Sequence, residues 1–345
     1  MKYGPTRRFV RGLRVVLPNG ELLDVRRGQI KAAGGILRLN FSDGTTAAVP
    51  LPAYDPPKVK KNAAGYFSDP QMDLVDLFIG AEGTLGVVTL AELIVLRKPE
   101  SLLSGLLFFS SEEDCFRFAM QVKGSLNPRV LEFFDSHSLA LLAEKHPDTP
   151  EGAKAALLFE QECRQREYDA LLREWLRRSE AAGARPSDCW YSRQPEDHRL
   201  FRRYRYDLPV LVNERVALSG FRKLGTDFAV PEEQGEAMFR FYLEELPNAG
   251  SEYLIWGHLG DHHLHVNLLA KTAEEFRQAQ DLYARMARKA IELGGTVSGE
   301  HGIGKARIPY LEMMVGREGL KQMARVKKAL DPNGILNPGD IFPVE

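Results

Sequence analysis

Apolar positions fall into short β-branched runs over roughly the first hundred residues, and into longer amphipathic stretches after them. Leu13–Leu17, then Pro18-Asn19-Gly20 and Glu21–Val25, predict a hairpin with the Asn-Gly pair in the turn. Pro50, Pro52, Pro56 and Pro57 follow, where lost backbone donors predict irregular chain. Leu74–Ile79, a Gly-rich turn and a strand-like run over Val87–Leu96 close the region. Beyond it, Leu102–Phe109, Val130–Phe134, Ala155–Glu160, Glu252–His258 and Leu264–Leu269 read as strands. Glu167–Ala182, Glu232–Leu246 and Ala273–Leu293 carry helical spacing. The alternation, with hairpin links, predicts an α+β fold in which helices cover an antiparallel sheet. A last helix, Gly316–Leu330, is stopped by Asp331-Pro332-Asn333-Gly334. The chain shows no internal repeat and no low-complexity segment.

Composition narrows the function classes. With 345 residues, 44% of them hydrophobic, the chain can bury two cores. A net charge of −1 gives no footprint for nucleic acid or an anionic membrane. No apolar run approaches the ~20 residues of a transmembrane helix, and Met1–Val10 has no apolar segment of a secretory signal. Cys115, Cys163 and Cys189 lie far apart without a CxxC. That excludes an iron–sulfur cluster or cysteine-based zinc site built from this chain alone, and suits a reducing, cytoplasmic setting.

The densest chemistry is Gly257-His258-Leu259-Gly260-Asp261-His262-His263-Leu264-His265-Val266-Asn267, which holds four of the eight histidines. On one unbroken strand His258 and His265 face opposite ways, because their separation is odd. A two-residue turn centred on Asp261-His262 instead pairs 258 with 265 as direct neighbours, with Cβ atoms about 4.5–5.5 Å apart. Two imidazoles so placed can share a metal ion. This turn asks His262 for positive φ. The plain alternative is a row of hydrogen-bonded histidines on a polar strand.

Gly294-Gly295-Thr296-Val297-Ser298-Gly299-Glu300-His301-Gly302-Ile303-Gly304-Lys305 sets an acid and a base among glycines. The glycines predict tight bends and close approach. Glu300 can complete a His2Glu set with an open position, leaving His301 as a base. The segment lacks the GxGxxG spacing and follows a helix, which argues against a dinucleotide fingerprint; a helix C-cap and loop is the plain alternative.

Together these segments resemble the FAD-linked oxidases of the vanillyl-alcohol oxidase/PCMH superfamily, among them glycolate oxidase flavoprotein subunits, D-lactate dehydrogenases and D-2-hydroxyglutarate dehydrogenases. The resemblance rests on His258-Leu-Gly-Asp-His-His-Leu-His265-Val-Asn267, Glu300–Gly304, Lys61–Tyr66, Ile79–Thr89 and Asp331–Gly339, in that family's order. It implies the second half of a PCMH-type FAD domain over 1–100 and a cap domain with an antiparallel sheet flanked by helices over 101–295. Residues 296–345 are expected to return to the flavin side. It implies FAD-dependent oxidation of a small 2-hydroxy acid. His258, His265 and Glu300 would hold a divalent ion, zinc or manganese, and His301 would take the hydroxyl proton. Arg205 would clamp the carboxylate, with Arg202 and Arg203 as rivals and an arginine-rich solvated helix face as the plain alternative. Asn62, Gly65, Gly83, Thr84 and Gly86 would border the FAD, its pyrophosphate above all, and Asn337 would lie near the isoalloxazine. An iron–sulfur electron-transfer subunit and peripheral attachment to the inner membrane through a partner are further implications.

Two departures stand out. Where this chain has His262 or His263 the family usually has Gly or Asn, so the turn is altered or an extra ligand is offered. The family's flavin domain also opens with a long segment containing a Gly-rich loop, whereas this sequence starts at what resembles the middle of that domain. The expectation is a truncated chain or one half of a split enzyme whose partner chain carries the loop. A non-catalytic or regulatory subunit is the alternative. A stand-alone metal hydrolase leaves residues 61–89 and 331–339 without purpose.

On this expectation the isolated chain binds FAD weakly, because the diphosphate lacks a nest of backbone donors, each charge-assisted bond being worth about 1.5–3 kcal/mol. A flavin absorbance titration checks it: weak or no binding is expected, and tight stoichiometric binding overturns it.

Overall fold

The computed structural model describes residues 1–41 and 44–343. Among these, two compact units form, Met1–Tyr3 with Arg97–Met286, and Gly4–Leu96 with Ala287–Glu345.

In the second of these units, β1 (Val10–Val16) pairs antiparallel with β2 (Leu22–Arg26), Val16 opposite Leu22. The Pro18-Asn19-Gly20 loop closes through Leu17 N–H to Glu21 O and Gly20 N–H to Leu17 O, with Gly20 at φ 84°. A left-handed glycine ending a three-residue loop is what the strands' twist favours. A second hairpin, β3 (Ile36–Asn40) and β4 (Thr46–Pro50), was not foreseen from sequence. Its buried positions are only Leu37, Leu39 and Val49, too few to set a period. Pro50, expected in irregular chain, instead ends β4 opposite Ile36, while the stretch with Pro52, Pro56 and Pro57 is irregular; Leu74–Phe78 forms α1, capped by the Asp73 carboxylate on Val75 N–H.

β5 (Val87–Leu93) adds to the other side of β1, as an edge strand. Val87, Val88, Leu90 and Leu93 are about half exposed on it. Such an apolar edge is open to pairing or association.

The other unit is an antiparallel sheet of seven strands. These are β6 (Ser101–Phe109), β7 (Val130–Asp135), β8 (Ala155–Cys163), β9 (Trp190–Tyr191), β10 (Leu224–Gly225), β11 (Glu252–His258) and β12 (His263–Leu269), in the order β10-β12-β11-β7-β8-β6-β9. All five strands expected from sequence are in it. Helices cover both faces, as the α+β reading expects. Leu106, Phe108, Phe134, Leu158, Leu254 and Trp256 lie on one face, under α3 (Ser136–Ala143) and α5 (Pro195–Ser219). On the other, α2 (Glu112–Ser125) and α4 (Tyr168–Ala181) deliver Phe118 and Trp175. Trp175 stacks on Phe159 at 3.8 Å and donates Nε1–H to Gln161 at 2.6 Å. α6 (Gly235–Glu245) adds Phe239, edge-on to Phe133. α7 (Ala273–Glu292) packs Tyr283 against Phe228.

Helices α2 and α3 were not expected from sequence, and α5 only as an arginine-rich helix face; α2 and α3 are capped by Ser111 and Asp135. α8 (Ile308–Leu330) starts before the expected position and bends at Gly316, whose φ is 71°. No helix among the described residues is long and apolar enough to cross a membrane.

Asp76 ties the first segments of its unit together. Arg27 grips its two carboxylate oxygens at 2.9 Å each, and Arg7 reaches it at 3.3 Å. Burial pushes this carboxyl up, but the bonds and charge of Arg27 and then Arg7 outweigh that and hold it below 3.8. Asp76→Asn is expected to cost about 2–3 kcal/mol at pH 7. The ionised carboxylate's contribution is full above its ordinary pKa and is lost as pH falls through the depressed one. Urea midpoints of wild type and variant should therefore differ at pH 7 and converge in acid.

Candidate functional site

Four of the sequence motifs meet in the unit formed by Gly4–Leu96 and Ala287–Glu345. Ala63 N–H donates to Ser298 O at 2.8 Å, and Thr296 Oγ1 to Asn62 Oδ1 at 2.7 Å. Lys61 pairs with Glu300 at 3.0 Å, and His301 lies 3.7 Å from the same carboxylate. The Glu82 carboxylate accepts from Ile303 N–H (2.8 Å) and Gly304 N–H (2.7 Å). Asn337 Nδ2 donates to Glu82 O at 2.6 Å. Glu82 itself sits at φ 53°, followed by Gly83 at φ 70°.

At two glycines a side chain would have to displace the groups that make these contacts. A Cβ on Gly83 would lie 2.7 Å from Asn337 Nδ2, and one on Gly302 2.8 Å from the Glu82 carboxylate.

The expected flavin residues thus divide. Asn62, Gly83 and Asn337 form an exposed polar rim beside Glu300 and His301. Thr84 lies beneath it, fully buried, with its hydroxyl on Tyr66 (2.6 Å) and Ala81 O (2.7 Å). Gly86 is packed against Val15 and Gly65 against Met323. Sequence reasoning gave no role to Glu82, or to Lys327. The Lys327 ammonium is buried on three oxygens, Asp331 (2.5 Å), Thr84 O (2.8 Å) and Leu336 O (2.6 Å). The Lys–Asp pair one helical turn apart was the available signal. Burial raises the Asp331 carboxyl, but Lys327 and the Leu336 and Ile335 N–H groups outweigh it and hold it low.

The histidines belong to the other unit, and there the turn differs from the expected one. His258 pairs with His263, Gly257 with Leu264 and Trp256 with His265. His258 and His265 are therefore not direct neighbours. The connection is a four-residue helical turn, Leu259 to His262, with His262 at φ 51°, positive as expected. The pairing is displaced by two residues, and a shift of two leaves each side chain on its original face. His258 and His265 thus share a face as diagonal neighbours, and His263 joins them. The ring centroids lie 5.3 Å (258–263), 5.5 Å (258–265) and 4.6 Å (263–265) apart.

Each ring is anchored by one nitrogen. Glu132 on β7 accepts from His258 Nδ1 at 2.7 Å, Thr226 O from His265 Nδ1 at 3.1 Å, and Asp227 from His263 Nε2 at 2.8 Å. A carbonyl can only accept, so His265 carries its hydrogen on Nδ1. Each of the three offers a ring nitrogen within 4.8 Å of the others'. His262 turns elsewhere, toward Lys123 at 3.0 Å, with its ring where a side chain on Gly235 would stand.

Arg205 separates from its rivals. Phe201, Tyr204, Leu208 and Val212 form the buried stripe of α5, and Arg205, four after Phe201, flanks it. Its guanidinium meets Glu132 at 3.2 Å, the carboxylate that also holds His258. Arg202 lies 3.7 Å from Glu160, and Arg203 is exposed. Helical periodicity could have ranked Arg205 above Arg203 from sequence.

A family model for FAD linked oxidases, C-terminal domain, matches residues 98–341. The chain belongs to the FAD-linked oxidases. Among curated relatives of this FAD-linked oxidase chain, it is 29% identical to the glycolate oxidase subunit GlcD of Bacillus subtilis, over 99% of this chain and 65% of that protein. It is 28% identical to a mitochondrial D-lactate dehydrogenase [cytochrome] of Arabidopsis thaliana, over 99% and 54%. A D-2-hydroxyglutarate dehydrogenase of Stutzerimonas stutzeri is 27% identical, over 99% and 66%. The chain spans between about half and two thirds of these relatives' lengths. Among solved structures, p-cresol methylhydroxylase has a TM-score of 0.60 at 14% identity, covering 99% of this chain and 67% of that one. The 4-ethylphenol oxidase of Gulosibacter chungangensis gives 0.59 at 16%, covering 99% and 68%. At such identity the two show the PCMH-type fold alone.

Gly83→Ala is expected to cost more than Gly334→Ala. Both glycines are left-handed, a strain of about 1–2 kcal/mol for alanine, but Gly334 has open space where Gly83 meets Asn337. Thermal unfolding of the two variants checks the difference.

Proposed function

We propose that this FAD-linked oxidase chain serves in the oxidation of a small 2-hydroxy acid to its 2-oxo acid. The observation that carries the reading is the Arg205–Glu132–His258 array, an arginine and anchored imidazoles together on one sheet face. The three relatives named above act, by their names, on glycolate, D-lactate and D-2-hydroxyglutarate, all 2-hydroxy acids.

The residues fit the groups that such a reaction needs. A glycine-bent rim with Asn62, Gly83 and Asn337 exposed over buried Thr84 and Leu85 suits a dinucleotide lying along it. FAD, when bound, supplies the acceptor for the hydride of the α-carbon. Arg205 offers the planar fork that binds a carboxylate in two bonds, and Glu132 keeps it extended. His301 is assigned the proton of the substrate hydroxyl. For a divalent ion, His258 and His265 have the required chemistry: imidazoles whose other nitrogen is held by a carboxylate or a carbonyl. Glu300 is the proposed oxygen ligand, by resemblance. Such an ion would supply positive charge for the developing alkoxide.

Electrons are proposed to leave to another protein, an iron–sulfur subunit in the reading from sequence; one relative is named a subunit and another carries cytochrome in its name. A polypeptide completing the flavin site is proposed as a partner, supported by the bare apolar edge of β5. The three cysteines are free thiols, which supports a cytoplasmic setting.

The test uses protein isolated from its host with its co-purifying chains and excess FAD. Anaerobic glycolate, D-lactate or D-2-hydroxyglutarate should bleach the flavin. Arg205→Ala should raise KM most strongly, and His301→Gln should lower kcat about 10²–10⁴-fold with flavin content unchanged. If no 2-hydroxy acid bleaches the bound flavin, the reading is wrong.

A further inference from the structure

The third histidine of the hairpin has no place in the His258, His265 and Glu300 set, yet it is the most deeply held of the three. His263 and its partner Asp227 are both fully buried. The strand pairing sets His263 directly across from His258 and two positions from His265, so the three rings share one face. Their centroids lie 4.6–5.5 Å apart. Asp227 takes the Nε2 side of His263, which leaves Nδ1 as the atom able to bind a cation.

The three outer contacts are of one kind: Glu132 on His258, Thr226 O on His265 and Asp227 on His263. Carboxylates and carbonyls in these positions fix the tautomer and raise the basicity of a metal-binding imidazole. One ring nitrogen of each histidine already lies within 4.8 Å of the other two. Ligands about 2.0–2.1 Å from a tetrahedral ion stand about 3.4 Å apart, so the three nitrogens lie within reach of one ion and would draw together around it.

We propose that His263 is a third nitrogen ligand, so that His258, His263 and His265 of a single hairpin hold one divalent transition metal. This rests on the reading of His258 and His265 as metal ligands, and changes the donor set from two imidazoles to three. Nitrogen-rich sites of this kind favour zinc or cobalt over magnesium or calcium.

The full chain, stripped with a chelator, is titrated with Co(II) and followed by visible absorption and calorimetry. The zinc-loaded chain is examined by X-ray absorption for the number of imidazoles. Three imidazoles are expected, with Co(II) affinity reduced about tenfold or more in His263→Asn and in His258→Asn. Two imidazoles in the wild type, or His263→Asn binding like wild type while His258→Asn does not, overturns the role of His263 and leaves the His258/His265 reading standing. A wild type that takes up neither metal, or a His258→Asn variant that binds as well as wild type, removes both. If His263→Asn does not fold, the imidazole count in the wild type decides.

Discussion

The pairing of β11 with β12 is the constraint on which the candidate chemistry depends. In an antiparallel ladder the side-chain period is two, so register decides at once which residues share a face. With His258 opposite His263, the histidines at 258, 263 and 265 fall on one side. β7 on the far side of β11 places Glu132 where it meets His258. The same face carries Phe134, Leu158 and Trp256 further along, under α5. Burial of that apolar part, at about 1.5–3 kcal/mol for each large side chain, seats the helix that brings Arg205 to Glu132. Packing at one end of the face thus positions charge at the other.

The glycine-rich unit solves a different problem. Loops with many left-handed residues have little helical or sheet hydrogen bonding to hold them, so single charges, one partly and one fully buried, do that work. Glu82 fastens Ile303 and Gly304 by their amides, and Lys327 gathers Asp331, Thr84 and Leu336 through its ammonium. Both make several bonds, which for the buried Lys327 is what keeps the charge tolerable. The glycines matter where these pieces touch: at Gly83 a methyl group would push on the Asn337 amide, and at Gly302 on the Glu82 carboxylate, the groups whose hydrogen bonds hold the loops together.

Much of this was legible along the chain. Short, nearly continuous apolar runs marked the central strands, which helices cover on both faces, and spacing near 3.6 marked α4, α6 and α7, which bury one face and expose the other. The Asn-Gly turn and the Asp331–Gly334 stop were local chemistry, readable within a few residues. The motifs at 61–66, 79–89, 258–267, 300–304 and 331–339 pointed to FAD-linked oxidases, the family that residues 98–341 match. The β3–β4 hairpin was missed and α5 was weighed only as a solvated arginine face, since short strands with three buried residues and a helix rich in arginine carry weak patterns.

What the sequence determined, then, was composition, element type and the presence of clustered histidines and glycines. Register was beyond it: a two-residue and a four-residue turn suit Leu259–His262 equally until β7 and β10 fix the neighbours of both strands. Only that tertiary pairing brought Thr226 and Asp227 to His265 and His263, and Glu132 to both His258 and Arg205. Those partners come from β7, the segment after β10, and α5, all distant in sequence. Local propensity has no means of encoding such contacts, because they form only once the whole sheet has closed.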